Sequence, residues 1–379
     1  MYQSRRSLSA VLIAAGALQA CEPSLAPYPT WDGGGGALVG TGGAGGDGVF
    51  FDAGTGGPPG ADAGGLCGND IHPIVTDPPN VYFVLDSSGS MAEHVSGGTR
   101  YSVVQGAAAK IVKKLALLIK AGATTFPSDA SCGAGDEVFA LAFNQPAQFA
   151  SAIKNVVPIG GTPTAATLEA LLPKLTALPG KTIVVLATDG GPNCNADAAC
   201  DISGCMPNIE GCSNECCQLG INCCKPGGSA GPEMCVDHDP VVAAVGALAA
   251  AGIRVFVIGI PGSQTYGGVL ADMALAGGAA LTTYPFYYKV DDLTTIHAVL
   301  AAAAGSAIPC EFTVAEAPMV PSLTNVYFDQ QVVLQGAVDG WTWVSPTQIV
   351  LHGAACTKLH SGAVGQVQIV SGCPTEEAK

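Results

Sequence analysis

The stretch VYFVLDSSGSM, residues 81–91, joins five consecutive apolar residues to a short polar turn. An unbroken apolar run that stops at polar residues is typical of a strand buried on both faces of a parallel sheet. Similar runs follow along the chain, at residues 138–143, 183–187 and 253–260. We therefore expect residues 81–85 to form the first of several buried strands.

Segments with helical character lie between and after these runs. They cover residues 101–119, 165–178, 241–251, 268–276 and 291–304. The third segment is followed by Gly252, and glycine commonly terminates helices. Strands that alternate with helices in this way predict the α/β class, with a doubly wound, mostly parallel sheet flanked by helices on both faces.

Oxygen-bearing side chains follow these apolar runs at the points where the strands should end. Asp86, Ser88 and Ser90 alternate in the turn after the first run, and Asp189 follows the third run. A glycine-rich loop between them in the sequence adds the hydroxyl of Thr162. Because ligands bind at the carboxyl ends of strands in open parallel sheets, we expect these five side chains to converge. Carboxylate and hydroxyl oxygens suit a hard divalent cation, Mg²⁺ first, with Mn²⁺ or Ca²⁺ as alternatives.

The Asp-x-Ser-x-Ser turn, the Gly-Gly-Thr loop and the Thr-Asp-Gly strand end resemble, in this order, the metal-ion-dependent adhesion site of von Willebrand factor A and integrin I domains. The resemblance implies a Rossmann-like fold in which Ser88 and Ser90 bind the cation directly. Either Thr162 or Asp189 would join them, according to the state of the domain, while the other side chains, Asp86 among them, act through water. It also implies that the open coordination position takes an Asp or Glu carboxylate from a partner protein.

A simpler interpretation is that Asp86 and Asp189 cap helix N-termini and that the serines are ordinary turn residues. Caps do not require all three motifs together, so we favour the metal site. Thr164, which follows the Gly-Gly-Thr-Pro sequence, is expected to start a helix rather than to bind the cation.

The net charge of the chain limits the classes of molecule that it can bind. The chain has 379 residues, of which 48% are hydrophobic, and its 15 basic and 30 acidic residues give a net charge of −15. Such an acidic protein repels nucleic acid, which we therefore exclude as a partner. The length allows one large domain or two modest ones with appendages.

The first twenty residues are expected to be a signal peptide, because Arg5 and Arg6 precede an apolar run at residues 8–18. The following box, Leu-Gln-Ala-Cys, resembles a bacterial lipoprotein cleavage site in which Cys21 is lipidated. An ordinary secretory signal is the alternative. Residues 21–66 would hold this cysteine and a Gly-rich flexible linker. We expect a lipid-anchored protein of the cell envelope, outside the cytoplasm, on the outer membrane or the cell surface.

Residues 67–308 are assigned to the von Willebrand factor A-like domain, with a cysteine-rich insert at 190–239. Residues 309–379 contain short strand-like pieces between glycines and prolines, which predict a small β-rich appendage. Trp341 and Trp343 share one face of a predicted strand there. We expect them to pack in a core, and a binding patch is the alternative.

Cysteine usage agrees with an oxidising compartment. Without Cys21, fourteen of the fifteen cysteines remain, an even number that can close as disulfides. Nine of them lie in the insert, namely Cys194, Cys200, Cys205, Cys212, Cys216, Cys217, Cys223, Cys224 and Cys235. Adjacent cysteine pairs favour a small disulfide-knotted loop, with zinc binding as the alternative.

The odd number of insert cysteines requires a bridge to a cysteine elsewhere, and Cys132 is a candidate. The last three cysteines, Cys310, Cys356 and Cys373, could tie the appendage together and onto Cys67. The insert leaves the expected metal face, so it could frame the surface that binds the partner. A purely stabilising role is the alternative.

Catalysis is not expected, because no histidine accompanies the five candidate ligands at metal or triad spacing. A general base is therefore missing, and no small-molecule substrate is expected. The sequence predicts an adhesion or protein-binding module. The alternatives are a metal-stabilised scaffold lipoprotein of the envelope and, less favoured, a metal-dependent hydrolase.

Overall fold

The computed structural model describes residues 67–68, 70–211, 217 and 220–378. The expected signal peptide, Cys21 and the Gly-rich linker lie outside the described residues, as do Cys212 and Cys216. Within the described ranges, no helix is both long and apolar enough to cross a membrane.

Strands and helices alternate through most of the chain. The strands are β1 (Asp70–His72), β2 (Asn80–Asp86), β3 (His94–Val95), β4 (Gly98–Thr99), β5 (Lys120–Phe126), β6 (Asp136–Phe143), β7 (Thr182–Thr188), β8 (Arg254–Gly259), β9 (Tyr288–Lys289), β10 (Glu311–Thr313), β11 (Thr324–Phe328), β12 (Gln331–Val333), β13 (Trp341–Ser345), β14 (Gln348–Leu351) and β15 (Val367–Ser371). The α-helices are α1 (Arg100–Lys114), α2 (Pro146–Lys154), α3 (Thr164–Thr176), α4 (Met206–Ile209), α5 (His238–Ala250), α6 (Gly267–Ala276), α7 (Ile296–Gly305) and α8 (Gly353–His360).

The central sheet has the strand order β6-β5-β2-β7-β8-β9, and only its edge strand β6 runs antiparallel to its neighbour. Every residue of β2 and β7 is buried, as expected for strands covered on both faces. The expected α/β class and mostly parallel sheet are therefore confirmed.

Alternate residues of β2 enter two separate hydrophobic cores. Phe83 packs with residues of α1, α2 and α7 on one face of the sheet. Tyr82 and Val84 pack with residues of α3, α5 and α6 on the other face. Because side chains alternate across a strand, one apolar run supplies both layers, and its carboxyl end is held firmly at the rim of the sheet.

Two elements beside β2 differ from the sequence-based expectation. The first helix ends at Lys114 rather than near residue 119, and the chain then turns into β5, which the sequence did not predict. Its sequence, KAGATTF, is built of small residues and threonines, so it lacks the aliphatic run that marks its neighbours. Small residues are required there because a Cβ on Gly122 would lie 2.7 Å from the ring of Tyr82.

The C-terminal region forms two small antiparallel sheets, of order β1-β15-β11-β12 and β10-β14-β13. The first recruits β1 from the start of the described region, next to the disulfide Cys67–Cys373. Trp341 is fully buried and stacks edge-on against Trp343 at 5.8 Å between ring centroids. The tryptophan pair is thus part of a core rather than a binding patch.

Candidate functional site

Asp86 ends β2 and is completely buried. Its Oδ1 accepts a hydrogen bond of 2.8 Å from the backbone N–H of Ser88. Its Oδ2 accepts one of 2.5 Å from the hydroxyl of Thr188, the last residue of β7. The carboxylate therefore connects the ends of two neighbouring strands. Its hydrogen bond with the backbone of Ser88 holds the turn after β2 close to the rim of the sheet.

A chain of hydrogen bonds connects the turn after β2 with the end of β7. The hydroxyls of Ser88 and Ser90 lie 3.2 Å apart, and Ser90 Oγ donates to Asp189 Oδ1 at 2.8 Å. Asp189 follows Thr188 directly and is 2% exposed. Three of the five predicted ligands thus form one hydrogen-bonded array.

The loop that carries Thr162 is fastened to both strand ends. The N–H of Gly89 donates to the carbonyl of Gly160 at 3.0 Å, which ties this loop to the turn after β2. Thr162 and Asn193 exchange two hydrogen bonds: Thr162 N–H donates to Asn193 Oδ1 at 2.6 Å, and Asn193 N–H donates to the Thr162 carbonyl at 2.9 Å. These contacts fix the backbone of Thr162.

The hydroxyls of Thr162 and Ser90 face the same point. A Cβ built on Gly190 would lie 3.5 Å from Thr162 Oγ1 and 3.9 Å from Ser90 Oγ. The structure therefore brings all three predicted motifs together at the carboxyl end of the sheet.

Two buried carboxylates dominate the electrostatics of this site. Burial, followed by the negative charge of Asp189, raises the pKa of Asp86 above its ordinary value. Burial also raises the pKa of Asp189, and this is opposed by hydrogen bonds from Ser90 and Arg100. A cation among these oxygens would offset both effects, and hard divalent cations prefer carboxylate and hydroxyl ligands. The donor set therefore fits the expected cation.

Arg100 is a residue of this site that the sequence analysis missed. A capping box between Thr99 and Ser102 starts α1, and Arg100 is its first residue. Its Nη1 donates to Asp189 Oδ2 at 2.8 Å, while Nη2 forms an ion pair with Glu93. No local pattern signals this contact, because Arg100 and Asp189 are 89 positions apart in the chain.

The cysteine-rich insert is held by disulfides, and one of them contacts the loop that carries Thr162. The described pairs are Cys67–Cys373, Cys132–Cys194, Cys200–Cys235, Cys205–Cys224, Cys217–Cys223 and Cys310–Cys356. Among the described pairs, Cys132–Cys194 joins the insert to a cysteine outside it. It packs against Gly161, where a Cβ would lie 2.5 Å from Cys194 Sγ. The disulfide thus contacts the residue beside Thr162.

The insert also reaches the site through Tyr266. The ring of Tyr266 packs on Gly191, two residues after Asp189, and its hydroxyl donates to Glu210 of the insert at 2.6 Å. The insert is therefore attached to the rim of the sheet at two places. It also carries two exposed aliphatic side chains, Ile202 and Ile221.

Comparison with family models identifies a match to the von Willebrand factor type A domain over residues 80–302. A comparison with curated protein sequences found no significant match.

Among solved structures, the chain is similar to the pilus adhesin SpaC from Lactobacillus rhamnosus GG, with 15% identity and a TM-score of 0.48. The match covers 80% of this chain and 40% of SpaC, so the chain spans two fifths of the length of that adhesin. It is also similar to the vWF domain of the type V pili tip protein Mfa5 from Porphyromonas gingivalis, with 16% identity and a TM-score of 0.41, covering 61% and 95% of the two chains. The PilB minor pilin from Streptococcus sanguinis matches with 18% identity and a TM-score of 0.42, covering 62% and 61%.

Proposed function

This chain belongs to the von Willebrand factor type A domain family, and we propose that it is an adhesion or protein-binding module of the cell envelope that captures a partner carboxylate through a bound divalent cation. The observation that carries the proposal is the array in which Ser88, Ser90 and Asp189 are joined by hydrogen bonds at the rim of the sheet.

Asp86, Ser88, Ser90, Thr162 and Asp189 would hold the cation, with Mg²⁺ as the first choice and Mn²⁺ or Ca²⁺ as alternatives. When bound, the cation supplies an electrophilic position that an outside Asp or Glu side chain can occupy. Three of the five residues offer neutral hydroxyls, so little anionic charge is placed on the cation. That charge balance favours capture of one more carboxylate.

Binding rather than catalysis is proposed on the chemistry of the neighbouring groups. The side chains that donate to the two carboxylates include Thr188 and Arg100. Neither is a base at neutral pH, because arginine remains protonated and a threonine hydroxyl does not titrate there. These donors supply no general base, and we propose binding, without a hydrolytic reaction or a small-molecule substrate, as the function.

The proposed location follows from the N-terminal sequence. A signal peptide at residues 1–20 and a lipidated Cys21 would place the protein outside the cytoplasm, anchored to a membrane by lipid. The Gly-rich segment up to residue 66 would link the anchor to the folded region. Disulfides in the described region suit such an oxidising compartment.

A scaffold that needs no cation is a second candidate, and one observation favours it. The guanidinium of Arg100 already pairs with Asp189, so one of the two buried charges is compensated within the protein. A scaffold of this kind would be equally stable with and without divalent cations.

Thermal unfolding of the full chain in Mg²⁺ and in EDTA tests the proposal, with Asp86→Asn as the variant. Asp201→Asn is a matched control, because Asp201 also belongs to an Asp-x-Ser turn, with Ser203, but is exposed and lies in the insert. We expect Mg²⁺ at a hundred times its dissociation constant to stabilise wild type and Asp201→Asn by about 2.7 kcal/mol. Asp86→Asn should not respond. Equal stability of wild type in Mg²⁺ and EDTA would support the scaffold instead.

Partner capture is the second measurement. Wild type immobilised with Mg²⁺ should retain envelope proteins that are absent when EDTA is added and absent with Asp86→Asn. Retention that is unchanged by both treatments would contradict metal-mediated adhesion.

A further inference from the structure

We propose that Arg100 is a positioning residue that keeps Asp189 out of direct contact with the cation. Thr162, rather than Asp189, would then coordinate the cation directly. This inference rests on the proposed metal-dependent function and specifies which of two possible ligands touches the ion.

Both carboxylate oxygens of Asp189 are already engaged. Oδ1 accepts the hydroxyl of Ser90 at 2.8 Å, and Oδ2 accepts Nη1 of Arg100 at 2.8 Å. The second of these is a charge-assisted hydrogen bond in a nearly fully buried setting, where such bonds are strongest. Direct coordination through Oδ2 would place the cation on the oxygen that already holds the guanidinium, and electrostatic repulsion between the two positive groups opposes it.

Arg100 is itself confined. Its side chain is 14% exposed, and its Nη2 is held by the ion pair with Glu93. Among the described residues its Nε has no hydrogen-bond partner. Gly262 closes over the guanidinium: a Cβ there would lie 3.0 Å from Nη1, and the φ angle of +119° also favours glycine. A guanidinium that lost Asp189 would keep only the ion pair with the more exposed Glu93, and the loss of its buried partner opposes the release of Asp189.

Thr162 differs from Asp189 in the hydrogen bonding of its side-chain oxygen. Its backbone is fixed by the two hydrogen bonds with Asn193, but within the described part of the chain its hydroxyl forms no hydrogen bond. This oxygen faces the same side of Gly190 as the hydroxyl of Ser90. Coordination by Thr162 therefore breaks no existing bond.

If Thr162 is the direct ligand, Arg100 should affect the binding of the cation and the binding of an outside carboxylate in opposite directions. A neutral hydroxyl in place of a carboxylate leaves more positive charge on the cation, and the guanidinium nearby adds electrostatic repulsion. Arg100 should therefore weaken binding of the cation and strengthen capture of an outside carboxylate. A residue that merely supported the fold would strengthen both, so the signs distinguish the two roles.

Arg100→Gln in the full chain tests this inference. Mn²⁺ affinity is measured by calorimetry, and binding of acetate to the Mn²⁺-loaded protein is measured by the relaxation of water protons. We expect Mn²⁺ to bind about tenfold more tightly, and acetate about tenfold more weakly, than in wild type. Each of these changes in affinity corresponds to the loss of about one charge-assisted hydrogen bond. Arg254→Gln is the matched control, because Arg254 is half-buried and lies over the ring of Phe256. It should change neither value.

Arg100→Lys provides a second variant if Arg100→Gln folds poorly. A lysine keeps the charge but cannot contact both Glu93 and Asp189. Mn²⁺ should therefore again bind more tightly and acetate more weakly than in wild type, but by smaller factors than in Arg100→Gln. Weaker binding of both ligands, or no change in either, would overturn the inference. A wild-type protein that binds no Mn²⁺ would instead overturn the proposed function itself.

Discussion

The hydroxyl of Ser90 donates to Oδ1 of Asp189 across 2.8 Å, although the two residues are 99 positions apart in the chain. The contact is possible because β2 and β7 are adjacent parallel strands, so the turns at their carboxyl ends meet at one edge. The same edge receives the Thr162 loop, whose Gly160 carbonyl accepts the N–H of Gly89. Two predictions test how this arrangement is maintained, and a third concerns the contact between α5 and α6.

Gly161→Ala should disturb the Thr162 loop. The new Cβ would lie 2.5 Å from Cys194 Sγ and 3.1 Å from Asn193 Oδ1, so the loop or the disulfide must move. We expect a loss of about 1–3 kcal/mol in the free energy of unfolding and weaker Mg²⁺ binding. Chemical denaturation and calorimetry measure the two effects.

Gly106→Ala is the control for that substitution. Gly106 lies within α1, and nothing is within 4 Å of the position its Cβ would take. Alanine there should stabilise the protein by about 0.5–1 kcal/mol and leave Mg²⁺ binding unchanged. If Gly161→Ala behaved in the same way, the close approach of the loop to the disulfide would have no energetic importance.

Removal of the Cys132–Cys194 disulfide should weaken cation binding as well as stability. We compare Cys132→Ser/Cys194→Ser with Cys310→Ser/Cys356→Ser, because the two disulfides close loops of similar size, with sequence separations of 62 and 46. Each double variant should lose about 2–4 kcal/mol of stability. Only the first should also lose Mg²⁺ affinity, since its disulfide contacts Gly161 beside Thr162. Equal losses of affinity would indicate a general effect of destabilisation.

The stability of the α5–α6 contact should depend on pH through His238. Its imidazole hydrogen-bonds to Asp239 at 2.7 Å and to Asp272 of α6 at 2.9 Å, and these carboxylates raise the pKa of His238. Because the folded-state pKa lies above the unfolded value, the stabilisation is complete below the unfolded-state pKa. It disappears as the pH rises through the folded-state pKa.

His238→Gln should therefore lower the free energy of unfolding at acidic pH and have little effect once the pH exceeds the folded-state pKa. The difference should stay below about 1 kcal/mol, because the pair is partly exposed and screened by solvent. Denaturation at a series of pH values measures it, with His297→Gln, at an exposed position of α7, as the control. A difference that grew with rising pH would contradict this account.

Strands and loops with strong local signals were predicted from the sequence. The apolar runs of β2 and β7 mark strands that are buried on both faces, and the confirmed α/β class follows from their alternation with helices. The candidate ligands were also visible, because four of them lie at or just after the end of a strand and Thr162 lies in a glycine-rich loop. Strand β5 was missed because its small residues and threonines carry no aliphatic signal.

The buried strands, the helices between them and the five oxygen-bearing residues can be read from the sequence, since these depend on side-chain periodicity and on short motifs within a few positions. The folded chain is needed to see that Arg100 pairs with Asp189, that Cys132 pairs with Cys194, and that β1 joins β15 in the C-terminal sheet. Such contacts join distant segments through strand order and packing, and neither residue of a pair carries a local sign of its partner.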